Sequence, residues 1–141
     1  MPAIYDHEHL VLVEETDGVG HVNNLNYVKW MQDAAIAHAT AQGWPPHRHL
    51  QLGSGWVVRS HFIEYLRPAF PGERILVRTW VSGFRRITSV RKYKILRPAD
   101  ETLLAVAETN WAYIRYEDHV PCRIPPEVIE SFVLVTPEME P

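Results

Sequence analysis

The chain is 141 residues long with a formal net charge of −3, 46% hydrophobic and 22% charged. That length leaves room for one core rather than two, and that composition excludes a disordered or coiled-coil protein. The balance of 14 Lys and Arg against 17 Asp and Glu excludes a general nucleic-acid binder, and one cysteine, Cys122, excludes an internal disulfide and suits a reducing compartment.

The opening Met-Pro-Ala-Ile-Tyr-Asp-His-Glu-His has neither the basic start nor the apolar stretch of a signal peptide. Apolar runs such as Leu103 to Ala107 are far too short to span a membrane, so the expected address is the cytoplasm. Leu10 to Glu14, Leu-Val-Leu-Val-Glu, predicts a short strand. Glu15 to Asn24 is polar, contains Gly18 and Gly20, and reads as a loop. From about Asn24 to Gln42 the period becomes helical: Val28, Met31, Ala35 and Ala39 share a face, with Tyr27 and Ala34 beside them. Asn23 or Asn24 caps its start, and Gly43 followed by Pro45 ends it. Its many alanines allow close approach of a sheet, so strands are expected to wrap it.

Four strands follow. Trp56 to Leu66 is expected to place Trp56, Val58, Phe62, Glu64 and Leu66 on one face, with Arg59, His61 and Arg67 on the other. Ile75 to Gly83 gathers Ile75, Val77, Thr79 and Val81. Ile87 to Leu96 and the aromatic-rich Leu103 to Tyr116 complete the set, a short helix is expected within Ile124 to Phe132, and the tail to Pro141 is expected to be loose. The order predicts an α+β domain over residues 1–141, one long helix on an antiparallel sheet. Large apolar residues on both sheet faces, Trp80 opposite Val77 and Thr79 among them, together with open sheet edges, predict a homodimer or homotetramer.

The chemistry concentrates in Asp17-Gly18-Val19-Gly20-His21-Val22-Asn23-Asn24-Leu25-Asn26-Tyr27. A carboxylate on a glycine-containing turn precedes the N-terminus of a long helix, whose unpaired N–H groups and positive dipole end can polarise a carbonyl oxygen. An acid opposite such donors suits attack on an acyl group, directly or through water; the same acid also suits simple support of the loop.

This string resembles the D-x-x-G-H-V-N-N-x-x-Y motif of the hot-dog-fold acyl-CoA thioesterases, in the 4-hydroxybenzoyl-CoA thioesterase-like group. The resemblance runs over about residues 8–130 and continues in Glu64-Tyr65-Leu66-Arg67-Pro68-Ala69 and Pro71-Gly72-Glu73. It implies a long central helix wrapped by a curved antiparallel sheet of about five strands, subunits joined edge to edge with sites at their interface, and hydrolysis of a coenzyme A thioester without metal or other cofactor. It implies that Asp17 is nucleophile or general base, and that the backbone N–H of Asn24, beside Asn23, polarises the thioester carbonyl.

Other residues carry two readings each. Tyr27 is a pocket wall or a packed aromatic, His21 an acid–base assistant or a loop hydrogen bond, and Glu64 a second carboxylate or a structural acceptor. Arg85, Arg86 and Thr88 resemble a basic turn that holds coenzyme A phosphates, and otherwise form a solvated hairpin; Arg91, Lys92 and Lys94 add positive charge nearby or guard a sheet edge. His7 with His9 and His47 with His49 lack metal-ligand spacing, and Cys122 lacks a nucleophile's surroundings. The competing functions are a hot-dog hydratase or dehydratase acting on acyl-CoA or acyl carrier protein, and a non-catalytic acyl-CoA binding protein.

Overall fold

A computed structural model describes residues 3–18 and 20–141; Val19 of the motif lies outside the described residues. The chain forms β1 (Ile4–Leu10), α1 (Asn24–Ala41), α2 (Pro46–Leu52), β2 (Ser54–Tyr65), β3 (Arg74–Phe84), β4 (Thr88–Arg97), β5 (Thr102–Arg115) and α3 (Pro126–Glu130). The strands make one antiparallel sheet in the order β1-β3-β4-β5-β2, with α1 packed on one face. This is the hot-dog arrangement expected from the resemblance.

The helix is built as its sequence predicts. Asn23 accepts from the N–H of Leu25 at 3.0 Å, and the last turn closes before Gly43 at φ +94°. Met31 and Ala34 are buried against Ile75, Val77, Ile95, Leu104 and Ala105 of the sheet. Alanine lets the backbone sit low on those apolar side chains, where a larger residue would hold it off.

Five expectations are corrected. Leu10 to Glu14 is not a strand: β1 runs upstream, Ile4 to Leu10, in register with Trp80 to Arg74, and Val13–Glu15 is a single 3₁₀ turn. The alternating polar residues of Tyr-Asp-His-Glu-His hide this strand because it is an edge with one wet face. In β2 a bulge at Arg59, where the register against β5 jumps between Val58 and Ser60, reverses the alternation. Trp56 and Ile63 consequently face the core, Phe62 stands 64% exposed, and Glu64, expected on the face of Trp56, is exposed.

The tail is not loose. Val135 is buried and donates its N–H to Val81 O at 3.0 Å, where β1 has ended and β3 has a bare edge; Glu140 pairs with Lys92 at 2.7 Å, and Pro141 O accepts from Lys94. Trp80 is 2% exposed within this one chain, so it is no argument for a partner subunit. Finally, β4 lies inside the sheet, so its basic residues guard no edge: Lys92 and Lys94 face the tail, and Arg91 is buried. The short helix α2 follows Gly43-Trp44-Pro45 with Pro46 at its first turn, in a stretch that reads as punctuation.

Candidate active site

The acid-bearing loop is bound to the start of α1 by backbone. Asn23 N–H donates to Glu15 O at 2.8 Å, Asn26 Nδ2 donates to the same carbonyl at 3.0 Å, and Thr16 and Val22 form an antiparallel bridge. Asp17 N–H donates to His21 O at 2.8 Å and Gly20 N–H to Asp17 O at 3.3 Å, closing a tight turn with Gly20 at φ +90°. Within it Asp17 Oδ2 lies 3.4 Å from His21 Nδ1, both side chains partly exposed.

A residue that sequence reasoning passed over anchors this assembly. Glu15 is 7% exposed, and its carboxylate accepts from Trp30 Nε1 at 2.7 Å, Leu12 N–H at 2.8 Å and His9 Nε2 at 2.8 Å. Burial works to raise its pKa, but the hydrogen bonds and the neighbouring imidazole outweigh it and hold the group below the ordinary glutamate value. Glu15 thereby ties the loop to the second turn of α1 through its side chain and to the first turn through its carbonyl. Its position two residues before Asp17 is the only signal the sequence offers.

At the helix tip Asn23 is spent on capping: its side chain takes the Leu25 N–H and its carbonyl takes the Asn26 N–H at 3.0 Å. The N–H of Asn24 meets no acceptor among the described residues, so it is the open donor of the first turn. Asn24 O accepts from Tyr65 Oη at 3.2 Å, which sets the tip of α1 beside the end of β2. Tyr27 is buried, stacked on Trp30 and edge-on to Tyr65, with burial raising its pKa.

Two cavities lie elsewhere. One, of about 450 Å³, is bounded by the second half of α1 (Gln32, Ala35, Ile36, Ala39), by Trp44 and His49, by the start of β2 (Trp56–Val58) and by aromatic side chains of the sheet. The other, about 470 Å³, sits at the β3–β4 hairpin and is lined by Arg59, Arg85, Thr88, Lys92 and Asn110, among others. The structure thus gathers Arg85 and Thr88, adds Arg59, and leaves exposed Arg86 outside the lining. Neither cavity is lined by Asp17, His21, Asn23, Asn24, Tyr27 or Glu64.

The comparisons with known proteins decide the family. Residues 11–132 match the model of the thioesterase-like superfamily. The chain belongs to that superfamily. This membership places it among the thioester hydrolases. Among curated relatives, a protein of Aquifex aeolicus (strain VF5) carrying the name "Putative esterase" is 26% identical over 130 residues, 92% of this chain and 97% of that one. One of Bacillus subtilis (strain 168), "Putative acyl-CoA thioesterase YneP", is 28% identical over 96 residues, 68% of this chain and 70% of that one. The crystal structure of the DHNA-CoA thioesterase of Staphylococcus aureus superposes with a TM-score of 0.85 at 24% identity, covering 91% of this chain and 87% of that one, a likeness of fold.

Proposed function

We propose that the protein hydrolyses an acyl-CoA thioester to the free acid and coenzyme A, with Asp17 as the reacting acid. The observation that carries this reading is the tethered pair of an acid turn and an open helix tip: Glu15 O holds Asn23 N–H at 2.8 Å, and Asn24 N–H stands unbonded among the described residues. A thioester carbonyl accepting from Asn24 N–H would develop its negative charge at the positive end of an 18-residue helix. Asp17 takes a proton from water, whose oxygen attacks the carbonyl carbon; the tetrahedral intermediate then expels the coenzyme A thiolate, which is reprotonated. In the nucleophilic variant, the carboxylate oxygen attacks the carbonyl carbon, the C–S bond breaks and coenzyme A leaves as thiolate to be reprotonated, and water then cleaves the resulting anhydride to the free acid and Asp17.

The cavity and the acid belong to opposite ends of α1, which supports a dimeric site. The outer edge of β2 carries no strand among the described residues, and Val57, Phe62 and Tyr65 along it are exposed. Two β2 edges pairing antiparallel about a two-fold axis set the start of one strand against the end of the other. The first is a cavity wall and the second adjoins the tip of α1, so each Asp17 would face the other subunit's cavity. The basic groove with Arg59, Arg85 and Lys92 is the candidate seat for coenzyme A phosphates.

The test is a thiol-release screen over an acyl-CoA panel, with Asp17→Asn beside wild type. Because Asp17 is partly exposed, the variant is expected to keep the wild-type melting temperature within about 2 °C and to lose at least about 100-fold in kcat. Full turnover by the variant would refute the role of Asp17, and a monomer by light scattering would refute the shared site.

A further inference from the structure

We propose that Arg91 reads a terminal carboxylate on the acyl group, so that the preferred substrates are ω-carboxyacyl thioesters derived from dicarboxylic acids; this rests on the acyl-CoA reading above. The cavity of about 450 Å³ is lined mostly by aromatic and aliphatic side chains, with Gln32, His49, Ser89 and Arg91 among its polar members. Among its lining residues Arg91 is the only arginine, lysine, aspartate or glutamate. It is 6% exposed, yet no carboxylate among the described residues pairs with it. Its Nη1 lies within hydrogen-bond distance of His38 Nδ1 at 2.9 Å and Thr79 Oγ1 at 3.2 Å, and its guanidinium lies 5.8 Å from the Phe132 ring centroid. Nε and Nη2 have no acceptor among the described residues.

A guanidinium withdrawn from water without a counter-charge is among the least favourable groups a core can hold, and an apolar residue of equal volume would be better there for stability alone. The side chain is also held in place: His38 on α1 and Thr79 on β3 fix one nitrogen, leaving the planar fork of the other two free to meet a carboxylate with two parallel bonds. Position completes the argument. β4 lies two strands in from β2, a depth of about 10 Å at ordinary strand spacing. A thioester entering at the β2 edge therefore delivers the far end of a medium-length acyl chain, and not the reacting carbonyl, to Arg91. Between those points the chain meets Trp56, Trp111 and Phe84, which suit methylenes.

The decisive experiment compares two six-carbon thioesters that differ at one end, hexanoyl-CoA and adipoyl-CoA, in wild type, Arg91→Met and Arg91→Lys. Calorimetric titration of the free acids, hexanoate and adipate, runs in parallel. Wild type is expected to favour adipoyl-CoA by about 30-fold or more in kcat/KM and to bind adipate more tightly. Arg91→Met should invert the preference while melting no lower than wild type, and Arg91→Lys should retain part of it. If Arg91→Met fails to fold, the two wild-type preferences decide alone. Wild type that uses hexanoyl-CoA as well as adipoyl-CoA and binds both acids alike would overturn the proposal. So would an Arg91→Met variant that loses both thioesters equally. Absence of thiol release from every acyl-CoA would refute the hydrolytic reading, and a surviving adipate preference in titration would then still support Arg91 as a carboxylate site.

Discussion

Replacing Glu15 by alanine tests whether this buried acid holds the Asp17 loop against α1. The substitution removes the acceptor for three donors. Trp30 is 1% exposed, so its indole N–H would be left buried and unpaired, at a cost of about 1–3 kcal/mol. Leu12 N–H and His9 lie near enough to the surface to reach water, and together add about 1 kcal/mol. The sum of about 2–4 kcal/mol is a large part of an ordinary stability of about 5–15 kcal/mol, and for a chain of this size corresponds to about 6–16 °C in melting temperature. The sign with pH follows from the depressed pKa. The ionised acid stabilises the fold above its unfolded value near 4.5, and that contribution is lost as pH falls through the lower native value. Urea unfolding followed by tryptophan fluorescence at pH 7 and pH 3.5 measures both. Wild type should lose more stability than Glu15→Ala on acidification, and the variant should also turn over more slowly well below its melting point. A variant within about 0.5 kcal/mol of wild type at pH 7 would refute the reasoning.

Gly55 tests the packing beside the cavity that His49 and Tyr116 line. A β-carbon there would strike the Tyr116 hydroxyl and lie 2.7 Å from its ring carbon and 3.2 Å from His49 Cβ. Gly55→Ala should cost about 1–3 kcal/mol in chemical denaturation and shift the acyl-length profile, with Tyr116→Phe restoring part of the loss; an unaffected midpoint would contradict the contact. Burial, assisted by the charge of Arg48 and opposed by a hydrogen bond involving Ser54, pushes the pKa of His49 below its ordinary value. The unfolded chain therefore takes up the proton first, and the stability present above about pH 6.5 declines as the pH falls through the native value. Melting curves from pH 7.5 to 5.5 should slope less steeply for His49→Gln than for wild type, and His61, lowered by burial in the same direction, keeps some slope in both. Equal slopes would remove His49 as the cause.

Much of this protein is written locally. Helix α1 and strands β3 to β5 are visible because their information lies within a few residues: alanine-rich helical spacing between Asn23 and Gly43, and alternation in Ile75, Val77, Thr79 and Val81 bounded by turn residues. The acid turn before a capped helix is legible for the same reason, since Asp17, Gly20 and Asn23 act over one turn of chain. Long-range pairing settled the remainder. β1 is a strand because β3 offers it an edge, and its own polar pattern gives no sign of it. One inserted residue at Arg59 reversed the faces of β2 and sent Phe62 and Glu64 outward, because side-chain direction depends on register against β5 and not on spacing along β2 alone. Arg91 looked like surface charge until the sheet order put β4 in the interior, and Glu15 looked like loop until Trp30, about two helical turns beyond the Asn23 cap, was brought onto it. Periodicity records which residues prefer company of their own kind; which partners they meet depends on contacts between segments tens of residues apart, and those exist only once the chain has closed on itself.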